Sequence, residues 1–345
     1  MTRIGSFTIT IKAALLLAVL VWSFGSMGFA YGHIRYVLNE EEIASVEDIG
    51  PLMVIQADNL AVLMLSGLLL LVIVQFGGVF LSGRSITNTV ERFLSSIEGY
   101  VPLILRVMVG GFLVLSGAAG QLFSPEPALD LANLQTPLSI IQVVAGGLLL
   151  LGFFTKVGAA LLGLLVAVSF FQLGLHGLDQ FVLLGVAVVL FFEGGLRQSI
   201  DALTLAKVKT LGRVGMWLGR LKIYSMPMLR TSLGINLIWL GLTEKLLAPQ
   251  LTEAAILKYD VPFFPEIRLF VFLFGFFEIL LGLHYLLGIF NRLISVLYLG
   301  LLLTAFLLFG EGINHLHLFG IAIAFLIRGA GAFRMDISVL TRTNK

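Results

Sequence analysis

Apolar residues occur in long runs along most of this chain, and short polar, basic or proline-containing stretches separate one run from the next. At about 1.5 Å of rise per helical residue, runs of this length approach or exceed the roughly 30 Å of a bilayer's hydrocarbon core. The pattern therefore predicts an all-α polytopic membrane protein with about ten transmembrane helices. The predicted spans are 13–31, 59–81, 103–123, 139–154, 157–175, 178–193, 228–247, 269–290, 293–309 and 315–330.

Composition agrees with this pattern. Of the 345 residues, 58% are hydrophobic and 12% are charged, and the mean hydropathy is +1.02. A soluble domain has about 25% charged residues. The chain has no cysteine, which excludes disulfides, thiolate metal sites and covalent haem attachment. Any redox role would therefore depend on a bound cofactor.

Residues 1–100 are expected to form an N-terminal transmembrane hairpin whose outer loop, 40–58, is acidic. The small residues Gly28 to Ala30 also fit a signal-peptide cleavage site, so removal of the first span stays open. Residues 86–98 are predicted to form a short interfacial helix. The rest divides into a first repeat at 101–196, a basic amphipathic cytoplasmic linker at 197–226, and a second repeat with a polar tail at 227–345.

The distribution of basic residues indicates the orientation in the membrane. With both termini in the cytoplasm, eighteen of the 22 Lys and Arg residues lie on the inner side. Such a bias is the usual signature of cytoplasmic loops. We therefore predict a multi-pass protein of the plasma (inner) membrane with both termini cytoplasmic. The four basic residues on or near the other side are Arg35, Lys245, Lys258 and Arg268.

The chain contains a duplicated unit. Five residues of the first repeat recur 124 positions later with the same or a related character, and four more recur 136 positions later, which predicts a longer first loop in the second copy. Because each copy has an even number of spans, the two copies are predicted to be parallel. The matched pairs are Arg106/Arg230, Gly110/Gly234, Gly117/Gly241, Gln121/Lys245 and Pro125/Pro249, then Gln142/Glu278, Gly146/Gly282, Gly152/Gly288 and Lys156/Arg292.

Two of these pairs change charge together, because Lys245 and Glu278 correspond to Gln121 and Gln142 in the first copy. A carboxylate inside a membrane costs on the order of a few kcal/mol unless it has a partner or water, so it marks a functional site by default. We predict Glu278 as a catalytic residue that relays a proton, with Lys245 as the partner that holds it ionised. A structural ion pair that joins two helices is the alternative.

Glycines predict how these helices pack. Glu278, Gly275 and Gly282 fall on one face of their span, and Gly234 and Gly241 line the preceding span. Glycines allow helices to approach closely in a bilayer. The two spans are therefore expected to pack against each other with Glu278 between them.

The two charges are expected at different depths. Lys245 lies near the outer end of its span and Glu278 near the middle of its own, a separation of roughly 10 Å along the helix axis. Two long side chains can just cover this distance, or water can bridge it. Glu244 is expected to point to a different face and to be solvated.

Histidines provide further candidates for ligand binding. His284 lies in the same span as Glu278, whereas His315 and His317 lie at the start of the last span. A neutral imidazole can exchange a proton with a quinone oxygen, so quinone is the candidate cofactor. The spacing argues against bis-histidine haem because the side chains diverge, and no metal site is predicted. The predicted ligand-binding set is completed by Gly241, Gly282 and Arg292.

Several chemistries have no support in the sequence. The chain contains no Walker loop, dinucleotide fingerprint, HExxH motif or nucleophile elbow. These absences argue against nucleotide-dependent and hydrolytic reactions. We expect the lipid bilayer as a partner, and no nucleic acid.

A short set of motifs recurs at the helix ends of both copies. The second copy has Gly241-Leu-Thr-Glu-Lys245-Leu246, then Glu278 and Gly288-Ile-Phe-Asn-Arg292, and closes on Gly331-Ala-Phe-Arg-Met-Asp336. The first copy keeps the glycines, Lys156 and Gly195 to Asp201. These motifs, over roughly 102–340, resemble the DoxX family of four-helix membrane proteins. The first copy departs from that pattern at Gln121 and Gln142.

The resemblance implies one four-helix bundle per repeat, so the fold would be two parallel bundles plus the N-terminal hairpin. Some family members, the DoxD subunits of thiosulfate:quinone oxidoreductase, serve a quinone-linked electron path. We therefore predict a membrane or quinone-facing subunit of an oxidoreductase system, working with a soluble or membrane oxidoreductase subunit. A non-catalytic membrane scaffold or assembly factor and a small-molecule or ion carrier remain alternatives, and whether the chain is itself an enzyme is left open.

Overall fold

The computed structural model describes residues 38, 40–46, 85–123, 134–195, 198–204, 219–259, 267–309 and 314–333. Within these ranges the regular structure is entirely helical, without a strand, which confirms the predicted all-α class. The predicted spans 13–31 and 59–81 and most of the basic linker lie outside the described residues.

The described α-helices are numbered in chain order. Helices α3 to α6 fall in the first copy of the repeat, and α8 to α12 fall in the second. Their bounds are α1 Glu40–Ser45, α2 Ser85–Ile97, α3 Val101–Ala118, α4 Gln135–Leu151, α5 Thr155–Leu173, α6 Phe181–Glu193, α7 Ile200–Thr204, α8 Ser225–Leu240, α9 Pro249–Lys258, α10 Ile267–Leu287, α11 Asn291–Phe309 and α12 Leu316–Arg328.

Three helical stretches of the described chain are long and apolar enough to cross a membrane. Large apolar side chains, among them Phe171 and Leu307, lie exposed on the outside of the helices. Exposed apolar surface of this kind is typical of a membrane-facing protein. The long stretches are Thr89–Ala118, Thr155–Glu193 and Ile267–Leu287, and shorter apolar helices cover Gln135–Leu151, Asn291–Leu307 and Leu316–Arg328.

The stretch Thr155–Glu193 is not one continuous α-helix. Gly174, at φ 58° and ψ −129°, interrupts it, and a 3₁₀ segment at Gly174–Gln180 leads into α6. Helices α5 and α6 pack against each other on either side of this turn. The two parts correspond to the separate predicted spans 157–175 and 178–193.

Neighbouring helices in the sequence are also neighbours in space. In the first copy α4 packs on α3 and α5, and α5 packs on α6; in the second, α10 packs on α8 and α11, and α11 packs on α12. The copies then join twice, because α6 packs on α8 and α12 packs on α3. The last helix of each copy therefore lies against the first helix of the other, and one apolar core runs through both.

The backbone repeats the same unusual conformations in the two copies. Gly152 and Gly288 have φ of 62° and 71°, and Phe154 and Phe290, two residues later, have φ of 45° and 49°. A positive φ is uncommon for a residue with a side chain, so its recurrence 136 positions apart indicates the same turn. This turn joins α4 to α5 and α10 to α11.

The two contacts between the copies are built alike. A Cβ placed on Gly185 of α6 would lie 2.7 Å from the Cα of Leu229, and one on Gly320 of α12 would lie 2.7 Å from the Cβ of Met108. Gly185 and Gly320 are 135 residues apart, and both helices contain 13 residues. Small residues thus admit the facing helix at equivalent places.

A buried ion pair joins the ends of α6 and α12. Arg328 Nη1 lies 2.8 Å from Glu193 Oε2, and the two side chains are 12% and 3% exposed. Lys222 Nζ lies 3.5 Å from the same carboxylate, and the Ser225 hydroxyl donates to its other oxygen at 2.7 Å. This pair was not predicted from the sequence, because its partners are 135 residues apart.

The matched arginines Arg106 and Arg230 hold the chain after the last helix of their own copy. Arg106 donates to the carbonyl of Gln198, and Arg230 donates to the carbonyls of Ala330 and Phe333, at 3.2 and 3.0 Å. Carbonyls beyond a helix end have no partner in the helix, so these bonds satisfy groups that would otherwise be buried unpaired.

Asp201 caps the start of α5. Its two carboxylate oxygens accept hydrogen bonds from the backbone N–H groups of Phe154 and Thr155, both at 2.8 Å. An acid at a helix N terminus also complements the helix dipole. Its counterpart at the end of the second copy, Asp336, lies outside the described residues.

Candidate functional site

The candidate site is built where α8 meets α10. A Cβ placed on Gly234 would lie 2.7 Å from the carbonyl oxygen of Gly282, and one on Gly241 would lie 2.6 Å from that of Gly275. Real Cβ atoms do not come this close to a backbone oxygen. The predicted close packing of these two helices at their glycines is therefore confirmed.

Beyond α8 the chain continues for one wider turn, a π-helical segment at Gly241–Leu247. The first copy instead stops at Gly120 (φ 74°), whose N–H bonds to Gly117 O while the next N–H bonds to Ser116 O, as in a Schellman cap. Glu244 stands at the position of Gly120, and a side chain disfavours that left-handed conformation. The additional turn of the second copy carries Lys245.

Three charged side chains meet at this turn. Lys245 Nζ lies 3.0 Å from Glu278 Oε2 and 3.5 Å from Glu244 Oε2. The side chains of Lys245, Glu244 and Glu278 are 5%, 1% and 10% exposed. The predicted pairing of Lys245 with Glu278 is present, and a second carboxylate shares the same ammonium.

The prediction that Glu244 is solvated is wrong. Adjacent residues in a π-helical turn are rotated less around the axis than in an α-helix, which brings Glu244 nearer to the face of Lys245. The expected depth difference was also too large. Lys245 packs against Gly275, only three residues from Glu278, which corresponds to about 4.5 Å along the axis.

A short helix covers one end of this charged cluster. The proline-containing segment 248–268 was predicted to be a loop, but α9 lies there and buries Leu251 and Ala255. The hydroxyl of Thr252 donates to the backbone oxygen of Glu244 at 3.0 Å, which fastens α9 to the π-helical segment. α9 therefore packs directly against the segment that carries Glu244 and Lys245, and also against α10.

α9 is itself held by residues from other parts of the chain. Lys258 pairs with Glu42 of α1 at 2.9 Å, and Arg268 lies 3.4 Å from Glu253. Burial raises the pKa of Glu253 above its ordinary value, and the charge of Arg268 opposes that rise. The acidic segment near residue 42 and the loop after the π-helical segment thus lie together, as expected if both are on the outer side.

The walls of the cluster are apolar and aromatic. Lys245 Nζ lies 5.5 Å from the centre of the Phe274 ring, a cation–π distance. Leu246 and Phe272 form a small apolar group beside it. A carboxylate buried in such surroundings is costly unless an opposite charge or a bound proton compensates its charge. A proton bound to either carboxyl group removes one of the two negative charges.

The first copy replaces this cluster with a fully bonded amide. Gln142 is 0% exposed; its oxygen accepts from the Phe123 N–H at 2.9 Å, and its nitrogen donates to Leu113 O and Ser116 Oγ at 3.2 and 2.7 Å. Gln121, which corresponds to Lys245, lies after the end of α3. The first copy therefore has a neutral and saturated polar site.

The predicted ligand-binding histidines are separated by the fold. His284 is buried, and its Nδ1 bonds to Leu280 O of its own helix at 2.8 Å. His315 and His317 are buried at the start of α12, and the His317 ring lies 4.1 Å from that of Phe112 on α3. His317 therefore belongs to a contact between the two copies, whereas Glu278 belongs to the α8–α10 contact.

Arg292 also lies away from the cluster. Its Nη2 donates to the Ile327 carbonyl at 3.2 Å, and its Nη1 lies 3.4 Å from Glu91 Oε1. It thus ties α11 to the end of α12 and to α2. Of the predicted site residues, the fold brings Lys245, Gly241 and Gly282 to Glu278, through the ion pair and the glycine contacts.

A row of buried hydroxyl groups between α10 and α11 was not predicted from the sequence. Tyr285, Ser295 and Tyr298 are 0%, 0% and 2% exposed, and the Tyr285 hydroxyl lies 2.9 Å from Ser295 Oγ. Comparison of the two copies could have revealed these hydroxyls, because the three matched residues of the first copy, 136 positions earlier, are apolar. They are Leu149, Ala159 and Leu162.

No group of three or more His, Asp or Glu residues in the described ranges is arranged to hold a metal ion. In comparisons with protein-family models, with curated proteins and with solved structures, no match to this chain was found.

Proposed function

We propose that this chain is an integral inner-membrane protein in which Glu278, Glu244 and Lys245 take up and release a proton for a quinone-linked oxidoreductase system. The observation that carries this proposal is the cluster of two buried carboxylates around one ammonium. Quinone reduction consumes two protons with its two electrons, so a membrane or quinone-facing subunit needs a buried proton donor of this kind.

The proposed architecture is ten transmembrane helices in two parallel four-helix copies after an N-terminal hairpin, with both termini cytoplasmic. Its support is the apolar helices, the recurring turn with left-handed Phe154 and Phe290, and the basic residues of the inner loops. Membership of the DoxX family is part of the proposal and depends on the sequence motifs alone.

A non-catalytic scaffold is the competing function. The glycine contacts and one ion pair explain helix packing, and a scaffold needs nothing further. The scaffold gives no role to the second buried carboxylate, Glu244, which lies 3.5 Å from the same ammonium. The first copy shows that Gln142 can fill the same interface with a neutral group.

Infrared spectroscopy of the purified protein tests the proton-binding role. A protonated carboxyl group buried in the cluster should give a carbonyl band that disappears at high pH and is changed in Glu278→Gln. Quinone that co-purifies in mild detergent, and turnover of quinone-linked oxidation in native membranes, test the assignment to an oxidoreductase system. We expect Glu278→Gln to reduce this turnover at normal expression, and unchanged turnover contradicts the role.

Variants that copy the residues of the first repeat distinguish a proton-relay role of the charged residues from a scaffold role. Lys245→Gln with Glu278→Gln reproduces the residues of the first copy. If the charges only fix packing, this double variant should keep full activity. If they relay a proton, it should fold and reach the membrane but lose quinone-linked turnover.

A further inference from the structure

Buried polar side chains follow one another along one face of α10 and one face of α11. Glu278 and Tyr285 are seven residues apart on α10, which places them two turns apart on one face. Asn291, Ser295 and Tyr298 follow one another at spacings of four and three on α11, again on one face. Because α11 folds back along α10, Tyr298 lies toward Glu278 and Asn291 lies toward the far end.

Several contacts connect the members of this row. Tyr285 OH and Ser295 Oγ are 2.9 Å apart, and Ser295 Oγ donates to Asn291 O at 2.7 Å. The rings of Tyr285 and Tyr298 are 6.2 Å apart between centroids. On α11, Tyr298 lies about one turn beyond Ser295, in the direction of the part of α10 that carries Glu278.

Burial of these groups needs an explanation, because hydroxyls inside an apolar interface are costly without hydrogen-bond partners. At the three matched positions the first copy has no hydroxyl group, although Thr155 stands at the position of Asn291. Leu149, Ala159 and Leu162 occupy the positions of Tyr285, Ser295 and Tyr298, and they are 0%, 1% and 0% exposed. These three positions therefore pack well without hydroxyls, and hydroxyls occur there only in the copy that carries the buried acid.

The end of the row also lacks a partner. The Asn291 side chain is 3% exposed, and neither its oxygen nor its nitrogen has a hydrogen-bond partner among the described residues. An amide that is buried and unpaired can bind a water molecule at that point. The row thus runs from the charged cluster to a polar group near the turn that joins α10 to α11.

We propose that Tyr298, Tyr285 and Ser295 form a hydrogen-bonded path that carries protons between Glu278 and this end of α10 and α11. The inference rests on the proposed proton-binding role of Glu278. Each hydroxyl accepts one proton as it gives up its own, so an O–H bond forms where the preceding one breaks. One proton enters at one end and one leaves at the other, without oxidation or reduction.

Exchange of the buried carboxyl proton for deuterium tests the path. The purified protein is transferred into D₂O, and the shift of the Glu278 carbonyl band is followed in time. Tyr298→Phe and Tyr285→Phe keep the rings and remove the hydroxyls, and each should slow the shift by about tenfold or more, or about 1.4 kcal/mol on the barrier. Tyr224→Phe, at an exposed tyrosine far along the chain, is the control and should leave the rate unchanged.

Ser295→Ala provides a second test. It removes the hydroxyl that bonds to Tyr285 and leaves Tyr285 unchanged, and it introduces the residue found at the matched position of the first repeat, Ala159. It should slow exchange without altering the ring packing of Tyr285 on Phe325. Exchange within about twofold of the parent in all three path variants, well under 1 kcal/mol, overturns the path while the proton-binding role stands. Absence of any protonated carboxyl band in the parent overturns the proposed function itself.

Discussion

In the first copy α3 and α4 meet at Gly110 and Gly146, and in the second α8 and α10 meet at Gly234 and Gly282. The close approach is the same, because a Cβ placed on each glycine would fall within 3 Å of the opposite carbonyl oxygen. What fills the interface differs. The first copy holds a neutral amide with its hydrogen bonds made. The second holds three charges, and a row of hydroxyls lies next to this interface, between α10 and α11.

This difference shows that the helix contact does not depend on charge. Gln142 is sufficient to build the interface, and apolar residues are sufficient beside it. The charged groups of the second copy therefore add a cost in stability that packing does not require. Groups retained at such a cost are expected to have a chemical role.

The largest effect on stability is expected from Lys245→Gln. This change leaves Glu244 and Glu278 buried together without the ammonium that lies 3.5 and 3.0 Å from them. Removal of one partner of a buried ion pair costs about 3–5 kcal/mol. Thermal unfolding in detergent at neutral pH should show the loss.

The matched control for this prediction is the triple variant Glu244→Gly, Lys245→Gln, Glu278→Gln. It gives the second copy the residues Gly120, Gln121 and Gln142 of the first. We expect most of the lost stability to return. A triple variant as unstable as Lys245→Gln alone would mean that the two interfaces are not interchangeable.

The next largest effect is expected from Gly234→Ala and Gly110→Ala, in similar amounts. A Cβ at either position would lie 2.7 or 2.9 Å from a backbone oxygen of the facing helix. Overpacking of this kind costs about 1–3 kcal/mol. Gly147→Ala is the control, because no atom lies within 4 Å of its Cβ, and it should be neutral or stabilising. Equal unfolding temperatures for all three variants would contradict the shared close contact.

A smaller effect is expected from Asp201→Ala, which removes the cap of α5. Loss of a helix N-cap costs about 0.5–2 kcal/mol. Asp201→Asn keeps a side-chain oxygen and should retain most of the stability. Asp336→Ala sharpens the comparison of the copies, because an equal loss of unfolding temperature extends the same cap to the second copy and no loss confines it to the first.

The smallest effect is expected from Lys258→Gln, which breaks the exposed pair with Glu42. Exposed ion pairs contribute about 0–1 kcal/mol and weaken with salt. Unfolding at low and high ionic strength should show a loss that shrinks as salt rises. The loss in Lys245→Gln should persist at high salt, and a salt-sensitive loss there would contradict the burial of the cluster.

Much of this structure followed from simple patterns in the sequence. Runs of apolar residues predicted helices, and glycines at matched positions in the repeat predicted where α8 and α10 touch. The pairing of Lys245 with Glu278 followed from their joint replacement by Gln121 and Gln142. Each of these signals depends on local spacing or on the repeat, both of which a single sequence displays.

Other features depend on tertiary context that spacing does not encode. Glu244 was placed on the wrong face because an α-helical rotation was assumed where the chain makes a π-helical turn. The prolines at 249, 262 and 265 led to the prediction of a loop where α9 lies. Pro249 is the first residue of α9, a position where proline is common in helices. The contact of Glu193 with Arg328 depends on how the copies dock.

The last helix of each copy packs on the first helix of the other copy, as in a two-fold symmetric dimer. A lone four-helix unit would leave the faces of its first and last helices uncovered, and a second identical unit related by a two-fold axis would cover both. The present arrangement is the one that such a homodimer would adopt. Separate polypeptides ending and beginning within 205–218 should therefore reassemble when they are produced together in one cell.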